Sequence, residues 1–287
     1  MTKVLSGKVV RDKIAQTLKS QIQNLKTKPH LVIIQVGNLP ESNTYIKQKV
    51  LFGQNIGAKV EHVKLEEDIF EKDLILKIKK YNLDTSVHGI IVQMPIPKNL
   101  DKEKIINAIS FQKDVDGQTA VNMKKLIEND PTGFLPATTK GILTLLEHCG
   151  VNAEGKNVVV VGRSTLVGKP TALALLNQNA TVTLAHSKTK NLRNITKSAD
   201  ILIVAAGKQN LIGKEHVSQN QTIIDVGINV INSNDKPEDE PAGKKLVGDV
   251  NFEEVSKIVE AISPVPGGVG PMTVASLFQN LLKASKR

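Results

Sequence analysis

The sequence predicts an α/β fold in two domains, each built on an open and mainly parallel sheet. Short β-branched runs with little polar alternation have the pattern of strands buried on both faces. They lie at residues 31–36, 89–92, 157–161, 181–184, 201–205 and 222–226. Segments of helical period separate these runs, as in βαβ units. The length of 287 residues allows two domains, since a domain commonly holds about 100–200 residues.

Three apolar stripes at helical spacing predict the clearest helices. They are Val10, Ile14, Leu18, Ile22 and Leu25; Ile142, Leu143, Leu145 and Leu146; and Val274, Leu277, Phe278, Leu281 and Leu282. The first lies near the N-terminus and the last near the C-terminus. Each stripe needs a sheet or another helix to cover it.

The spacing of the predicted strands and helices changes in the middle of the chain. Up to about Pro136 the segments alternate with longer, Lys-rich connections, whereas from residue 157 to 226 strand and helix units follow compactly. A polar stretch with Pro and Gly over 130–136 precedes a helix expected near Thr138. We therefore predict a domain boundary at 130–136 and a charged, Pro-containing loop at 232–245.

Composition excludes several classes of protein. Aromatic residues make up 3% of the chain and Trp is absent, which disfavours an aromatic base-stacking surface. No apolar run approaches the roughly 18 residues of a membrane span, and the N-terminus lacks an apolar signal region. The single Cys149 cannot form an intramolecular disulfide, and the scattered His residues form no zinc-ligand cluster. We expect a cytoplasmic protein without a metal site.

The charge balance is basic, with 38 Lys and Arg against 28 Asp and Glu, a formal net charge of +10. Such a balance suits anionic partners, which include nucleic acid, phosphorylated cofactors and polycarboxylate substrates. A Lys-rich solvated surface explains the same number equally well.

A strand, a turn and a helix carry the clearest local motif. Gly162-Arg163-Ser164 follows the run 157–161, and Gly168 precedes an apolar helix in the pattern G-x-S-x-x-x-G. Free N–H groups and the positive end of the helix dipole make such a turn an anion site. The pattern departs from the dinucleotide fingerprint G-x-G-x-x-G, so an ordinary glycine-bearing βα turn is the alternative.

The end of the next strand favours NADP over NAD. An NAD site usually offers a carboxylate about 20 residues after the turn to hold the ribose 2′-OH. Here the strand ends Leu184-Ala185-His186-Ser187-Lys188, with no carboxylate. A 2′-phosphate would instead meet the Ser187 hydroxyl and cations, including Arg163.

Tyr45 and Lys49 lie one turn apart if their segment is helical, and so share one face. A phenol beside an amine can hold a heteroaromatic substrate while the amine moves a proton. The ordinary pKa of a lysine is roughly 10.4, so this amine needs burial or neighbouring cations to act as a base near neutral pH. The alternative is two solvated helix residues.

Three further segments place polar or flexible residues where ligands bind. Gln93 follows the run 89–92, at the carboxyl end of a buried strand. Asp116, in a turn with Asp114, could accept hydrogen bonds from an amino-pyrimidine, or the turn could be an Asx turn before Gly. The run 264–273 holds three Pro and three Gly, which suits close approach to a flat ligand or a rigid connector.

Taken in order, these motifs resemble the bifunctional methylenetetrahydrofolate dehydrogenase/cyclohydrolase family over nearly the whole chain. The matching motifs are Ser42-x-x-Tyr45-x-x-x-Lys49, Val92-Gln93-Met94-Pro95, Lys113-Asp-Val-Asp-Gly117, Gly162-Arg-Ser164, His186-Ser187, Asp225-Val-Gly-Ile-Asn229, Gly248-Asp249-Val250 and Pro264 through Thr273. The chain departs from the family pattern at Ala137-Thr138-Thr139, at Met94 and at 118–122.

The resemblance implies an N-terminal substrate and catalytic domain over 1–136, completed by the C-terminal segment 265–287, and a Rossmann-type NADP-binding domain over 137–264, with a cleft between them. It also implies a homodimer paired through the cofactor domains. The partner is a folate, with or without a polyglutamate tail, and neither nucleic acid nor membrane is expected.

By matching positions, the resemblance makes Lys49 the catalytic lysine, with Tyr45 stacked on the pterin, Gln93 beside Lys49 and Asp116 holding the pterin amino group. The remaining substrate positions are Val92, Met94, Pro266, Gly267 and Gly268. The cofactor positions are Gly162, Arg163, Ser164, Ser187 and Ile228.

The implied reaction oxidises 5,10-methylenetetrahydrofolate to the methenyl form with NADP and then hydrolyses it to 10-formyltetrahydrofolate. Lys49 would supply acid/base help in the hydrolysis. Two alternatives stay open on the sequence. One is a dehydrogenase of the same architecture that lacks the hydrolysis or uses NAD. The other is a basic nucleic-acid-binding protein, indicated by the net charge alone.

Overall fold

The structure, a computed structural model, describes residues 2–233 and 243–287. The chain divides into two compact units. We call them the six-strand unit (1–10 and 138–273) and the three-strand unit (11–137 and 274–287) after their sheets. The division falls close to the predicted boundary at 136. Residues 1–10 and 265–273, which the sequence analysis placed in the first domain, instead belong to the six-strand unit.

The three-strand unit is built from β-strands and α-helices in alternation. In chain order they are α1 (Gly7–Gln23), β2 (His30–Val36), α2 (Pro40–Ile56), β3 (Lys59–Leu65), α3 (Glu71–Leu83), β4 (Gly89–Val92), α4 (Lys102–Asn107) and α5 (Ala120–Ile127). The sheet is parallel with the order β3-β2-β4, so β2 is central and every one of its residues is buried. Leu31 of β2 pairs with Val60 of β3 and with Gly89 of β4.

Helix α2 positions the polar residues that concern the site, and its ends have clear local causes. Pro40 stands at its first turn, where a missing N–H costs no hydrogen bond. Gly57 ends it with φ 83°, a left-handed conformation that favours glycine, and its N–H donates to the carbonyl of Gln54.

The six-strand unit contains the remaining elements. They are β1 (Lys3–Val4), α6 (Ala137–His148), β5 (Asn157–Val161), α7 (Gly168–Leu176), β6 (Thr181–Ala185), α8 (Leu192–Lys197), β7 (Ile201–Val204), β8 (Thr222–Asp225), β9 (Asn229–Ser233), β10 (Gly243–Val247), α9 (Phe252–Val255), β11 (Ala261–Ile262) and α10 (Val269–Ala284). Six strands form a parallel sheet in the order β1-β11-β8-β7-β5-β6, and β9 pairs with β10 in an antiparallel hairpin. The division between the units falls inside α1, α6 and α10.

Strand β1 explains why the N-terminus belongs to the six-strand unit. Lys3 pairs with Ala261 of β11, and the N–H of Leu5 donates to the carbonyl of Ile262 at 2.8 Å. The loop after β11 packs on the start of α1, since the N–H of Lys8 donates to the carbonyl of Gly267 at 3.0 Å. These long-range bonds leave no local signal in the sequence.

The six predicted strands are present, each with ends within one residue of the prediction. The three predicted apolar stripes lie on α1, α6 and α10, although Leu25 falls beyond the end of α1. Strand β3, an edge strand with alternating exposed charges, and the two-residue strands β1 and β11 were not predicted. Strands β9 and β10 include both ends of the loop predicted at 232–245, and residues 234–242 of that loop lie outside the described residues.

Two negative findings concern the described residues. In residues 2–233 and 243–287, no helix is long and apolar enough to cross a membrane. The same residues contain no group of three or more His, Cys, Asp or Glu side chains arranged to hold a metal ion.

Candidate active site

An amine and an amide meet at the end of β4 in the three-strand unit. The Lys49 Nζ of α2 donates to Oε1 of Gln93 at 2.8 Å. Gln93 follows β4 directly, and its Nε2 donates to the carbonyl of Met94 at 2.8 Å, so its oxygen is directed to the lysine. Helix α2 places Tyr45 one turn from Lys49, as its spacing predicted. The structure thus brings Lys49 to Gln93 across 44 residues of chain.

Burial of this contact favours a neutral amine. Burial lowers the pKa of Lys49, and the negative charge of Asp116 acts in the opposite direction. Burial likewise raises the pKa of Asp116, with the Lys49 charge opposing it. Both groups are therefore less strongly ionised than in water. A lysine with a lowered pKa can act as a base nearer neutral pH.

The turn that carries Asp116 is held by its neighbour Asp114. The buried Asp114 carboxylate accepts the N–H of Thr119 at 2.7 Å and the side-chain amide of Asn122 at 2.9 Å. Asp114 is therefore structural. The Asp116 carboxylate accepts a hydrogen bond from the side-chain amide of Gln118. A ligand amino group that binds Asp116 would compete with that amide.

The other residues predicted near the amine are apolar or weakly polar. Val92 is buried at the end of β4, and Met94 is half-buried. Tyr45 is half-buried, and burial raises the pKa of its phenol, which keeps the hydroxyl protonated. Val92 and Met94 flank Gln93 in the chain and Tyr45 lies one helical turn from Lys49, so apolar and aromatic residues neighbour both partners of the contact along the chain.

Ser42 begins the motif Ser42-x-x-Tyr45-x-x-x-Lys49, but the sequence predicted no role for it. It is buried on α2, three residues before Tyr45 and seven before Lys49, so all three share one helix face. Its Oγ has no hydrogen-bond partner among the described residues. The helical spacing in the sequence already contained this signal.

The glycine turn after β5 forms a separate candidate site, in the six-strand unit. Gly162 has φ 127°, and a Cβ there would lie 2.1 Å from the carbonyl oxygen of Ala205. A Cβ on Gly168 would lie 2.1 Å from the Gly162 carbonyl oxygen. Both positions require glycine: Gly162 lies against the backbone that follows the neighbouring strand β7, and at Gly168 the turn folds back onto Gly162.

The polar residues predicted to bind a cofactor lie around this turn and at neighbouring strand ends. The Ser164 Oγ accepts the N–H groups of Val167 at 3.2 Å and Gly168 at 3.4 Å, so it closes the turn. Arg163 is exposed, and so is Ser187, two residues after β6. Ile228 follows β8 and is 43% exposed. A tight glycine turn, a cation, a hydroxyl and an exposed apolar side chain at one edge of a parallel sheet fit a phosphorylated dinucleotide.

The glycine- and proline-rich loop belongs to the six-strand unit. Gly267 has φ 105°, and a Cβ on Gly268 would lie 2.5 Å from the Pro264 carbonyl oxygen. Pro266 is exposed. The loop is a constrained backbone segment, and it belongs to a different unit from Lys49, Gln93 and Asp116.

Comparisons with known proteins cover the whole chain. Residues 5–116 match the family model described as tetrahydrofolate dehydrogenase/cyclohydrolase, catalytic domain. Residues 136–287 match the model described as tetrahydrofolate dehydrogenase/cyclohydrolase, NAD(P)-binding domain. The bifunctional protein FolD of Acetivibrio thermocellus is 45% identical over an alignment of 287 positions, which covers 99% of this chain and 97% of that protein.

Solved structures agree with these matches. The bifunctional FolD methylenetetrahydrofolate dehydrogenase/cyclohydrolase of Campylobacter jejuni is 42% identical with a TM-score of 0.94, over 100% of this chain and 99% of that one. The Trypanosoma brucei N5,N10-methylenetetrahydrofolate dehydrogenase-cyclohydrolase, solved with NADP cofactor and an inhibitor, is 32% identical with a TM-score of 0.93, over 100% and 98%. These matches agree with the site at Lys49, Gln93 and Asp116 and with the glycine turn at Gly162. The chain belongs to the tetrahydrofolate dehydrogenase/cyclohydrolase family.

Proposed function

We propose that the protein oxidises 5,10-methylenetetrahydrofolate to 5,10-methenyltetrahydrofolate with NADP and then hydrolyses it to 10-formyltetrahydrofolate. The observation that carries the proposal is the Lys49 amine, with its lowered pKa, held at 2.8 Å by Gln93 and near Asp116. Membership of a family whose two matched models are a catalytic and an NAD(P)-binding domain supports both half-reactions.

For the first half-reaction the protein's task is alignment. NADP, when bound, accepts a hydride at C4 of its nicotinamide. The nitrogen lone pairs of the folate stabilise the resulting methenyl cation, so no strong acid or base is needed from the protein. Asp116 would hold the pterin amino group, and Tyr45 would stack on the ring. Proper placement of two reactants lowers a barrier without further chemistry.

The second half-reaction moves protons, and here Lys49 acts. Water adds to the methenyl carbon, and the neutral Lys49 amine takes the proton that this water loses. The carbinol O–H then releases its proton to solvent as the formyl C=O forms, the bond from that carbon to N5 breaks, and the ammonium returns a proton to N5, which yields the 10-formyl product. Gln93 accepts one N–H of the amine, which leaves the lone pair free to face the substrate. Such acid/base help is worth roughly 10²–10⁴-fold in rate.

The cofactor residues fit NADP better than NAD. No carboxylate follows β6, and the exposed Arg163 and Ser187 offer a positive charge and a hydroxyl to a 2′-phosphate. The turn at Gly162 and the start of α7 would receive the pyrophosphate. We assign folate binding to the three-strand unit and NADP binding to the six-strand unit; a folate role for the loop 266–268 rests on the family resemblance alone.

The finer features that the resemblance implied belong to the same proposal. They are a homodimer, a cytoplasmic location, a substrate with or without a polyglutamate tail, and no nucleic-acid or membrane partner. Sedimentation of the purified protein measures the oligomeric state, and a titration with duplex DNA at varied salt measures nucleic-acid binding.

The direct test mixes the purified protein with NADP and 5,10-methylenetetrahydrofolate. We expect the absorbance of reduced cofactor and of the methenyl product to rise, and the methenyl absorbance then to decay. A methenyl signal that persists would indicate a dehydrogenase that lacks the hydrolysis activity. Equal rates with NAD and NADP would contradict the cofactor assignment.

A further inference from the structure

Apart from Ile228, two motifs from the sequence have no role in the chemistry above. They are Asp225-Val-Gly-Ile-Asn229 after β8 and Gly248-Asp249-Val250 after β10. Each contains a buried carboxyl group: Asp225 is 3% exposed and Asp249 is 0% exposed. Two buried acidic side chains in one unit are costly unless each has several hydrogen-bond donors.

Asp249 joins two loops at the edge of the six-strand sheet. Its Oδ2 accepts the N–H of Ala206 at 2.7 Å and that of Gly207 at 2.8 Å, both just after β7. Its Oδ1 accepts the side-chain amide of Asn229, after β8, at 2.9 Å. One carboxylate therefore ties the loop after β7 to the loop after β8.

Asp225 holds Asp249 in return. Its Oδ1 accepts the N–H groups of Gly227 and Asp249, each at 3.0 Å, and its Oδ2 accepts that of Val250 at 2.9 Å. A Cβ on Gly227 would lie 2.2 Å from Cγ of Asp249, and one on Gly248 would lie 1.8 Å from Oδ2 of Asp225. Each motif thus places its carboxylate against the glycine of the other, and the two motifs pack together as a single structural element.

The place of this pair in the sheet indicates which part of a ligand it serves. The order β8-β7-β5-β6 puts β6 on one side of β5 and β7 and β8 on the other. A dinucleotide crosses the carboxyl edge of such a sheet with its pyrophosphate at the turn after the first strand. Ser187, after β6, then lies on the side of the 2′-phosphoadenosine. The nicotinamide half falls toward the loops after β7 and β8, which Asp249 joins and which carry Ile228.

We propose that Asp249 is a positioning residue for the nicotinamide half of the cofactor, acting by holding the loops after β7 and β8 and making no contact with the adenosine half. The inference rests on the proposed NADP binding. It assigns a role to the two motifs that neither hydride transfer nor hydrolysis explains.

The test compares NADP with its adenosine half in matched variants. Asp249→Asn keeps the shape of the side chain but turns one acceptor into a donor that faces another donor. If its remaining oxygen serves Ala206 and Gly207, its NH₂ opposes the amide of Asn229. The double variant Asp249→Asn with Asn229→Asp exchanges the two groups, restores a donor–acceptor pair and conserves the total charge.

Dissociation constants are measured by titration calorimetry for NADP and for adenosine 2′,5′-bisphosphate. In Asp249→Asn we expect the Kd for NADP to rise about tenfold, which corresponds to roughly 1.4 kcal/mol. The Kd for adenosine 2′,5′-bisphosphate should change by less than about twofold, which also reports that the unit is folded. The exchanged double variant should recover most of the lost NADP affinity.

An equal loss for both ligands, or no loss for either, would overturn the inference. If Asp249→Asn unfolds the unit, Asn229→Ala serves instead, because it removes the bond to Oδ1 and a longer one of 3.5 Å to the carbonyl of Val247, and leaves the bonds from Ala206 and Gly207 in place. NADP affinity should then fall while the bisphosphate affinity stays. The wild-type protein separates this result from a failure of the proposed function. A wild type that binds no NADP refutes both, whereas one that reduces NADP normally leaves only the positioning role at stake.

Discussion

Replacing Lys49 by methionine should abolish the hydrolysis while the protein remains folded. Methionine keeps the length and apolar surface of the lysine stem, so packing on α2 is retained. The change removes the 2.8 Å hydrogen bond to Gln93. Such a bond is worth about 0.5–1.5 kcal/mol when the amine is neutral and about 1.5–3 kcal/mol when it is charged. The buried charge whose solvation cost lowers the pKa of Lys49 is removed at the same time, so these two effects on the free energy of unfolding offset each other in part.

The effect on catalysis should be far larger than the effect on stability. Loss of the acid/base group predicts a decrease of about 10²–10⁴-fold in the rate of methenyl hydrolysis. The rate is followed as decay of methenyl absorbance without NADP, which isolates the second half-reaction. Lys47→Met is the matched control, because Lys47 is exposed on the same helix two residues away. Hydrolysis at the wild-type rate in Lys49→Met would refute the role of the amine.

The variant Gln93→Glu perturbs the same contact from its other side and indicates the direction of the pH effect. A carboxylate 2.8 Å from the amine would stabilise the ammonium form. An opposite charge at such a distance shifts a pKa by about 1–3 units, here upward for Lys49. If the neutral amine is the base, the rising limb of the hydrolysis rate against pH should move to higher pH by that amount. A limb that stays in place or moves lower would show that Lys49 is not the titrating base.

Three other perturbations test the six-strand unit. Arg163→Ala should weaken the binding of NADP more than that of NAD, measured as two dissociation constants, and an equal loss would contradict the 2′-phosphate assignment. Gly162→Ala should lower the free energy of unfolding in urea more than Gly155→Ala. A Cβ at 162 would lie 2.1 Å from a carbonyl oxygen, whereas a Cβ at 155 would have no atom within 4 Å. Because Gly155 has φ 69°, its substitution costs only the left-handed strain of about 1–2 kcal/mol. Equal costs would refute the close approach. Burial raises the pKa of Asp225 to about 7. The folded state therefore binds the proton of this carboxyl group more tightly than the unfolded chain does. The resulting stability is present at low pH and is lost as the pH rises from about 4 to about 7. Asp225→Asn should therefore flatten the decline of Tm between pH 5 and pH 7, and a decline as steep as that of the wild type would exclude this carboxyl as its source.

Much of the fold was predictable because buried parallel strands have a strong local pattern. The residues of β2, β4 and β7 are all buried, and their runs of Val, Ile and Leu marked them in the sequence. Strand β3 lies at the edge of its sheet and alternates charged with apolar residues, which fits the exposed connections assigned to that part of the chain. An edge strand is defined by its neighbour, and its own composition carries less of the signal.

The candidate site was predicted in part for the same reason. Helical spacing placed Tyr45 and Lys49 on one face, and the position of Gln93 after a buried strand placed it at the carboxyl edge of the sheet. The 2.8 Å contact between Lys49 and Gln93 and the effect of Asp116 on the pKa of the amine depend on the packing of α2 against the sheet. Ser42 lay within the same helical pattern, but its buried and unpartnered hydroxyl is a property of the folded unit.

By itself the sequence determined the class of fold, the positions of the buried strands along the chain and the glycine turn at Gly162. These features depend on periodicity and on the backbone preferences of neighbouring residues. Only the tertiary structure decided that β1 pairs with β11, that residues 265–273 belong to the six-strand unit, and that Asp225 and Asp249 hold one another's loops. Those arrangements join segments far apart in the chain. They exist because buried N–H groups and carboxylates must find partners when the sheet is closed off from water.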